Sequence, residues 1–248
     1  MRKIVASVLV RNQMVVNSTL FTHYKPIGSI EQIILRLQEL EIDEITVLNL
    51  THSENPLEDF HTLFPDDFLA TISTPLAYGG GVNSQAFAES IIAAGCERIV
   101  LSGNRWTPRE SRRISVNLGD QAVLIHLPLS RYGSDIGLGN KPTTAQDYFE
   151  EIPSDWGGEI YLKDRDADGT VSRFEFFNEI SSFAADLKTP IIVGGGVSSL
   201  NDVGELFKLQ YVRGVVIGSW LNRDELIIPR IKSSASPSVD LRRLVRFI

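Results

Sequence analysis

The chain has 248 residues, 43% of them hydrophobic and 22% charged, proportions that suit a globular protein and exclude collagen-like, coiled-coil and disordered chains. Its 24 basic residues against 31 acidic ones leave a net charge of −7, which argues against a nucleic-acid or anionic-membrane partner while leaving room for a local phosphate site. The single cysteine, Cys96, cannot form an internal disulfide and points to a reducing, cytoplasmic setting.

The N-terminal Met1-Arg2-Lys3 is followed by only seven apolar residues, Ile4 to Val10, and then by Arg11-Asn12-Gln13. This is too short for a signal peptide and has no small-residue cleavage site, so it reads as a first buried strand. No stretch reaches the ~18 apolar residues of a membrane helix. Ser29-Ile30-Glu31-Gln32 has the form of a capping box and opens a helix to about Leu40, with Ile33, Ile34, Leu37 and Leu40 on one face. Further strands are expected at Ile45–Leu50, Leu76–Tyr78, Arg98–Leu101, Ala122–Leu127, Glu159–Leu162, Ile191–Val193 and Gly214–Ile217. They are rich in Val, Ile and Leu without strict alternation, as parallel strands covered on both faces should be. Ser84–Ala94 and Phe176–Leu187 carry helical patterns between them.

A repeat organises these elements. Thr74-Pro75-Leu76-Ala77-Tyr78-Gly79-Gly80-Gly81-Val82 returns as Thr189-Pro190-Ile191-Ile192-Val193-Gly194-Gly195-Gly196-Val197, and the same offset carries Ser84, Arg98, Val100 and Gly103 onto Ser199, Arg213, Val215 and Gly218. Eight strands alternating with helices, in two similar halves, predict one (β/α)₈ TIM barrel spanning residues 1–248. A doubly wound open sheet would not need the duplication.

Barrel chemistry sits on the loops at the C-terminal strand ends. Both triple glycines fall there, as do Ser102-Gly103-Asn104 and Gly218-Ser219-Trp220. Glycine lets a backbone approach an anion, and free N–H groups supply donors. One phosphate cup per half is therefore expected, from Gly80, Gly81, Ser102 and Gly103 in the first and Gly195, Gly196, Gly218 and Ser219 in the second. The inferred ligand is a small molecule carrying two phosphates.

The duplicated barrel, the two triple glycines and Asp166-Ala167-Asp168-Gly169-Thr170 together resemble the cyclase subunit of imidazole glycerol phosphate synthase and its isomerase relative. Ile42-Asp43-Glu44-Ile45 and Gly158-Glu159-Ile160 favour the cyclase, a lyase of histidine biosynthesis. The resemblance implies a glutaminase partner in a heterodimer, with ammonia entering the barrel bottom through a salt-bridged ring. Lys3, Glu44, Arg98 and Glu159 match the ring positions, and Glu97 is expected to face the partner. It implies no cofactor and no metal.

The chain also departs from the family. The resemblance implies two catalytic aspartates, but Leu9 and Pro128 occupy their positions, and neither side chain transfers protons. Asn17 replaces a lysine near the first phosphate loop. Leu9-Val10-Arg11-Asn12 and Pro75-Leu76-Ala77-Tyr78-Gly79 are similar to cyclase-like barrels that serve amidation of surface-polysaccharide sugars, an alternative activity. A second alternative is a catalytically impaired barrel that binds ligand or conducts ammonia. The remaining candidates for acid–base work are Asp168, Asp166 and His126, the last expected to titrate near neutrality, with His52 weaker. Finally, Asp164, Asp166, Asp168, Gly169 and Glu175 have calcium-loop spacing, which makes a calcium-binding barrel the third alternative.

Overall fold

The computed structural model describes residues 2–51, 53–132, 135–138, 144–171, 174–224 and 226–234. Eight parallel strands form its centre: β1 (Lys3–Arg11), β4 (Glu44–Asn49), β5 (Leu76–Gly79), β6 (Arg98–Ser102), β7 (Val123–Tyr132), β9 (Glu159–Asp164), β10 (Ile191–Gly194) and β11 (Val212–Ile217). Each pairs with the next in that order, and β11 pairs with β1 from Lys3 opposite Gly214 to Ala6 opposite Ile217, which closes the barrel. The expected eight strands are all present, a few residues longer at their ends.

Three strands were not legible beforehand. β2 (Met14–Thr19) and β3 (His23–Gly28) extend β1 as an antiparallel ribbon, and β8 (Asp135–Leu138) does the same for β7. The repeat reaches even here, since the first strand of each half runs on into an antiparallel partner above the barrel.

Helices α1 (Ile30–Glu39), α2 (Pro56–Leu63), α3 (Asp66–Leu69), α4 (Gln85–Ala93), α5 (Pro108–Leu118), α6 (Ala145–Glu150), α7 (Phe174–Ala184), α8 (Leu200–Lys208) and α9 (Ile227–Ser234) flank the sheet. Ser29, Ser84 and Ser199 cap α1, α4 and α8, each hydroxyl accepting from the backbone N–H three residues on. Ser84 and Ser199 are partners in the repeat, so the duplication preserves helix starts as well as glycines. None of the helices among the described residues is long and apolar enough to cross a membrane.

Two apolar cores follow from strands covered on both faces. The outer one packs helices on the sheet and includes Ile34, Leu37, Phe60, Phe64, Phe177 and Ile180. The inner one fills the barrel with Val5, Leu9, Leu48, Ala77, Val100, Leu124, Tyr161, Ile192 and Val216. The inner core fixes which residues face the axis, because side chains two apart on a strand share a face. Lys3 thus points inward with Val5 and Leu9, and His126 with Leu124 and Pro128.

Phe177 is fully buried in the outer core, whereas Val116 is 71% exposed. Phe177→Ala should therefore cost about 3–5 kcal/mol of unfolding free energy, while Val116→Ala stays within about 0.5 kcal/mol. Urea titration of both variants checks this, and similar losses for the two would mean that the core is wrongly placed.

Candidate functional site

At the bottom of the barrel, inward side chains at the strand starts can satisfy only one another. Lys3 Nζ lies 2.5 Å from Glu44 Oε2 and 2.7 Å from Glu159 Oε2. Arg98 Nη1 lies 3.5 Å from Glu44 Oε2 and 2.5 Å from Glu159 Oε2. The four side chains make a closed ring of alternating charge around the axis. The carboxylates are buried and the cations partly exposed, so lysine and arginine present the ring to the bottom surface. Burial pushes the Glu159 carboxyl up, Lys3 and Arg98 pull it back, and Glu44 adds to the rise. Glu97 stands exposed beside the ring. Behind it, Asp43 accepts from Ile4 N at 2.7 Å and from the buried Lys232 Nζ at 2.8 Å, tying α9 to the base of β1.

At the opposite end a cavity of about 600 Å³ opens between the β2–β3 ribbon and the strand ends, lined by Phe21, Tyr24, Asn49, Ser102, His126, Pro128 and Arg165 among others. Leu9 is buried in the inner core and Pro128 borders the cavity, so no carboxylate stands at either position. The His126 ring lies 4.8 Å from that of Tyr161, tilted by 31°, and its buried Nε2 has no hydrogen-bond partner among the described residues. Burial, aided by the positive charge of Lys163, pushes its pKa down from 6.5 to about 3. The expectation that His126 titrates near neutrality is therefore corrected: the imidazole stays neutral.

Beside His126 lies an ion pair that spacing alone did not suggest. Lys163 Nζ is 2.8 Å from Asp168 Oδ1, and both residues are buried. The Phe21 ring covers the ammonium, with Nζ 4.3 Å from its centroid, and Phe21 N–H donates to Asp168 Oδ2 at 3.4 Å. Leu20 N–H donates to the Asp168 carbonyl. The ribbon tip is thus docked on the loop after β9. Asp166 is exposed and accepts from Arg131 N at 3.0 Å. With Asp168 committed to Lys163 and Asp166 turned to Arg131, the carboxylates of the calcium-spaced loop diverge. Among the described residues no group of three His, Cys, Asp or Glu is placed to hold a metal. His52 lies outside the described residues.

The glycine loops repeat in backbone shape. Gly80 and Gly195 have φ of +139° and +113°, and Gly81 and Gly196 have +66° and +72°, values that side chains rarely tolerate. The cups themselves differ. Gly195, Gly196, Gly218 and Ser219 line one small cavity of about 50 Å³ together with Asn17, Arg36, Lys163 and Asp168. Gly218 has nothing nearer than 3.9 Å to a side-chain position there, so its backbone is open to a ligand. Of the four residues expected to form the first-half cup, Gly80 and Ser102 border the large cavity. Gly81 faces Pro56, and Gly103 faces Leu127 and Tyr148 while its N–H is spent on the His126 carbonyl at 2.9 Å. The second-half residues thus share one cavity with Arg36 and Lys163, whereas Gly80 and Ser102 border the wider one.

Comparison with known sequences agrees with this frame. The family of histidine biosynthesis proteins matches residues 3–226. The chain belongs to that family. Similar relatives include the imidazole glycerol phosphate synthase subunits HisF of Dictyoglomus turgidum, 26% identical over 227 residues, and of Dictyoglomus thermophilum, 25% identical over 227; each alignment covers 88% of both chains. A HisF subunit of Prochlorococcus marinus is 24% identical over 236 residues, covering 90% of this chain and 91% of its own. The barrel is accordingly HisF-like.

Against the family expectation, two cations were missed. Arg36 sits on α1 in what reads as a polar stripe, yet it reaches the second-half cavity, donating to Asn222 Oδ1 at 2.9 Å, while Asn222 in turn donates to Asn17. Lys163 closes an apolar strand, Ile160-Tyr161-Leu162, and parity with the inner-core Tyr161 was the available signal that it faces the axis.

The low pKa of His126 has a sign. The unfolded state takes up a proton near 6.5 that the folded state refuses until about 3, so stability falls as pH drops through that window. The slope attributable to this residue is about 1.4 kcal/mol per pH unit. His126→Asn should flatten the pH dependence of unfolding between those limits by that amount, and unchanged slopes would show that His126 is protonated in the folded protein.

Proposed function

We propose that the protein is the cyclase-like subunit of a glutamine amidotransferase pair: it binds a phosphorylated small molecule at the barrel mouth and receives ammonia from a glutaminase docked on its bottom face. The closed Lys3–Glu44–Arg98–Glu159 ring is the observation that carries this reading. Isolated surface ion pairs contribute only ~0–1 kcal/mol, and buried carboxylates cost desolvation that their partners barely offset, so stability is a poor reason for such a ring. A ring on the axis is in the right place to admit a small molecule. Above it the barrel interior is packed with Val5, Ala77, Leu124 and Ile192, apolar surroundings that favour neutral ammonia over ammonium. At the far end Gly195, Gly196, Gly218 and Ser219, with Arg36 nearby, suit a phosphate held by backbone N–H groups and one cation. The exposed cations of the ring and Glu97 offer a partner complementary charges.

The test uses the cognate glutaminase. Arg98→Ala should lower glutamine-driven product formation while glutamine hydrolysis continues and activity with added ammonium salt persists. Equal losses with glutamine and with ammonium would make Arg98 a structural residue and end the conduit reading.

A further inference from the structure

We propose that Lys163 is an imine-forming nucleophile, and that its substrate is a short phosphorylated aldehyde or ketone seated in the cup of Gly195, Gly196, Gly218 and Ser219. The inference rests on the phosphate-cup reading above. Three placements support it. First, Lys163 and the cup share one cavity. Gly194, which opens the glycine loop, is the Cα partner of Lys163 across the β10–β9 ladder, and neighbouring strands run only about 4.8 Å apart. A phosphate held on that loop therefore brings the carbon chain of its ester past the amine. Second, Lys163 is buried, with Asp168 at 2.8 Å to take and return protons, and the Phe21 ring on the β2–β3 ribbon covers it from solvent. Third, Leu9 and Pro128 leave the mouth without the carboxylates of its family, so carbonyl chemistry at this site must be activated in another way. A covalent iminium does so by making the carbonyl carbon electron-poor.

The step balances without any added reagent. At rest Lys163 is an ammonium paired with the Asp168 carboxylate. Asp168 accepts one proton, and the freed Nζ lone pair attacks the carbonyl carbon, so that the C–N bond forms as the C=O π pair moves to oxygen. A proton passes from nitrogen to that oxygen, giving a neutral carbinolamine. Asp168 then returns its proton to the hydroxyl, the C–O bond breaks, and water leaves. The nitrogen lone pair closes the C=N bond, and the iminium remains paired with the ionised Asp168. Across the mouth, His126 Nε2 is unpartnered and neutral, a hydrogen-bonding group left over by the fold on the strand beside Lys163.

Trapping tests this directly. The full chain is incubated with ribose 5-phosphate and sodium cyanoborohydride, and the reduced adduct is located by peptide mass mapping; inorganic phosphate binding is followed in parallel by phosphorus NMR. Lys163 should carry the adduct, ribose without phosphate should label it far more slowly, and inorganic phosphate should compete. Lys163→Arg, which keeps the charge and the pairing with Asp168, should lose the adduct. Asp168→Asn should slow it by about 10²-fold, the lower end for loss of a general acid–base group. If phosphate binds but Lys163 stays unlabelled, or if Lys163 is labelled no faster than the exposed lysines, the imine proposal is overturned while the cup stands. Labelling by ribose as fast as by ribose 5-phosphate, with no phosphate bound, would overturn the phosphorylated substrate class and the cup together.

Discussion

Pairing of β11 with β1 is the contact on which everything else depends. Closure gives each strand an inner face that sees neither solvent nor helix, so the residues there must satisfy one another within a narrow shaft. Apolar layers do so by packing, as Val5, Ala77, Leu124 and Ile192 do. Charged residues can do so only at the two ends, and only in closed sets. The bottom set is the four-membered ring; the top set is Lys163 with Asp168 under Phe21. The axis therefore joins two electrostatic sites through an apolar interior.

The two ends have different relations to the family. At the bottom, Lys3, Glu44, Arg98 and Glu159 close into a ring of ion pairs. The mouth keeps its glycine loops and the position of Asp168 but holds leucine, proline, a neutral histidine and a buried lysine around it. The Asp168 carboxylate is paired, and Asp166 faces away from the axis at the Arg131 amide. Proton transfer there can only run through the Lys163–Asp168 pair or through a ligand's own groups.

Much of this was legible in the sequence because the signals were local or repeated. The triple glycines and Ser84/Ser199 fixed the half-barrel symmetry, and apolar runs located all eight barrel strands. The ribbon strands were not legible: Met14–Thr19 and His23–Gly28 include exposed, mixed residues, and only the pairing of β2 with β1 and of β3 with β2 makes them strands. The unequal surroundings of the two halves' glycines were hidden for another reason. Gly103 and Gly218 are equivalent in the repeat, yet Leu127 and Tyr148 crowd the first while the second faces open space. That difference arises from tertiary neighbours distant in sequence. Strand periodicity puts His126 on the right face, but its charge state depends first on its burial and then on Lys163, a residue that pattern reading left as an ordinary strand end.

On the proposed reading, a HisF-like frame carries altered proton-transfer chemistry at its mouth. The most direct measurement is turnover of the histidine-pathway cyclase substrate with saturating ammonium salt, which bypasses any partner, side by side with the Dictyoglomus turgidum HisF subunit. Absence of carboxylates at Leu9 and Pro128 predicts a rate lower by at least about 10²-fold, since each general acid–base group contributes ~10²–10⁴-fold. A rate equal to that of the relative would contradict the account, because it would mean that the mouth still performs the ordinary cyclisation without either family carboxylate.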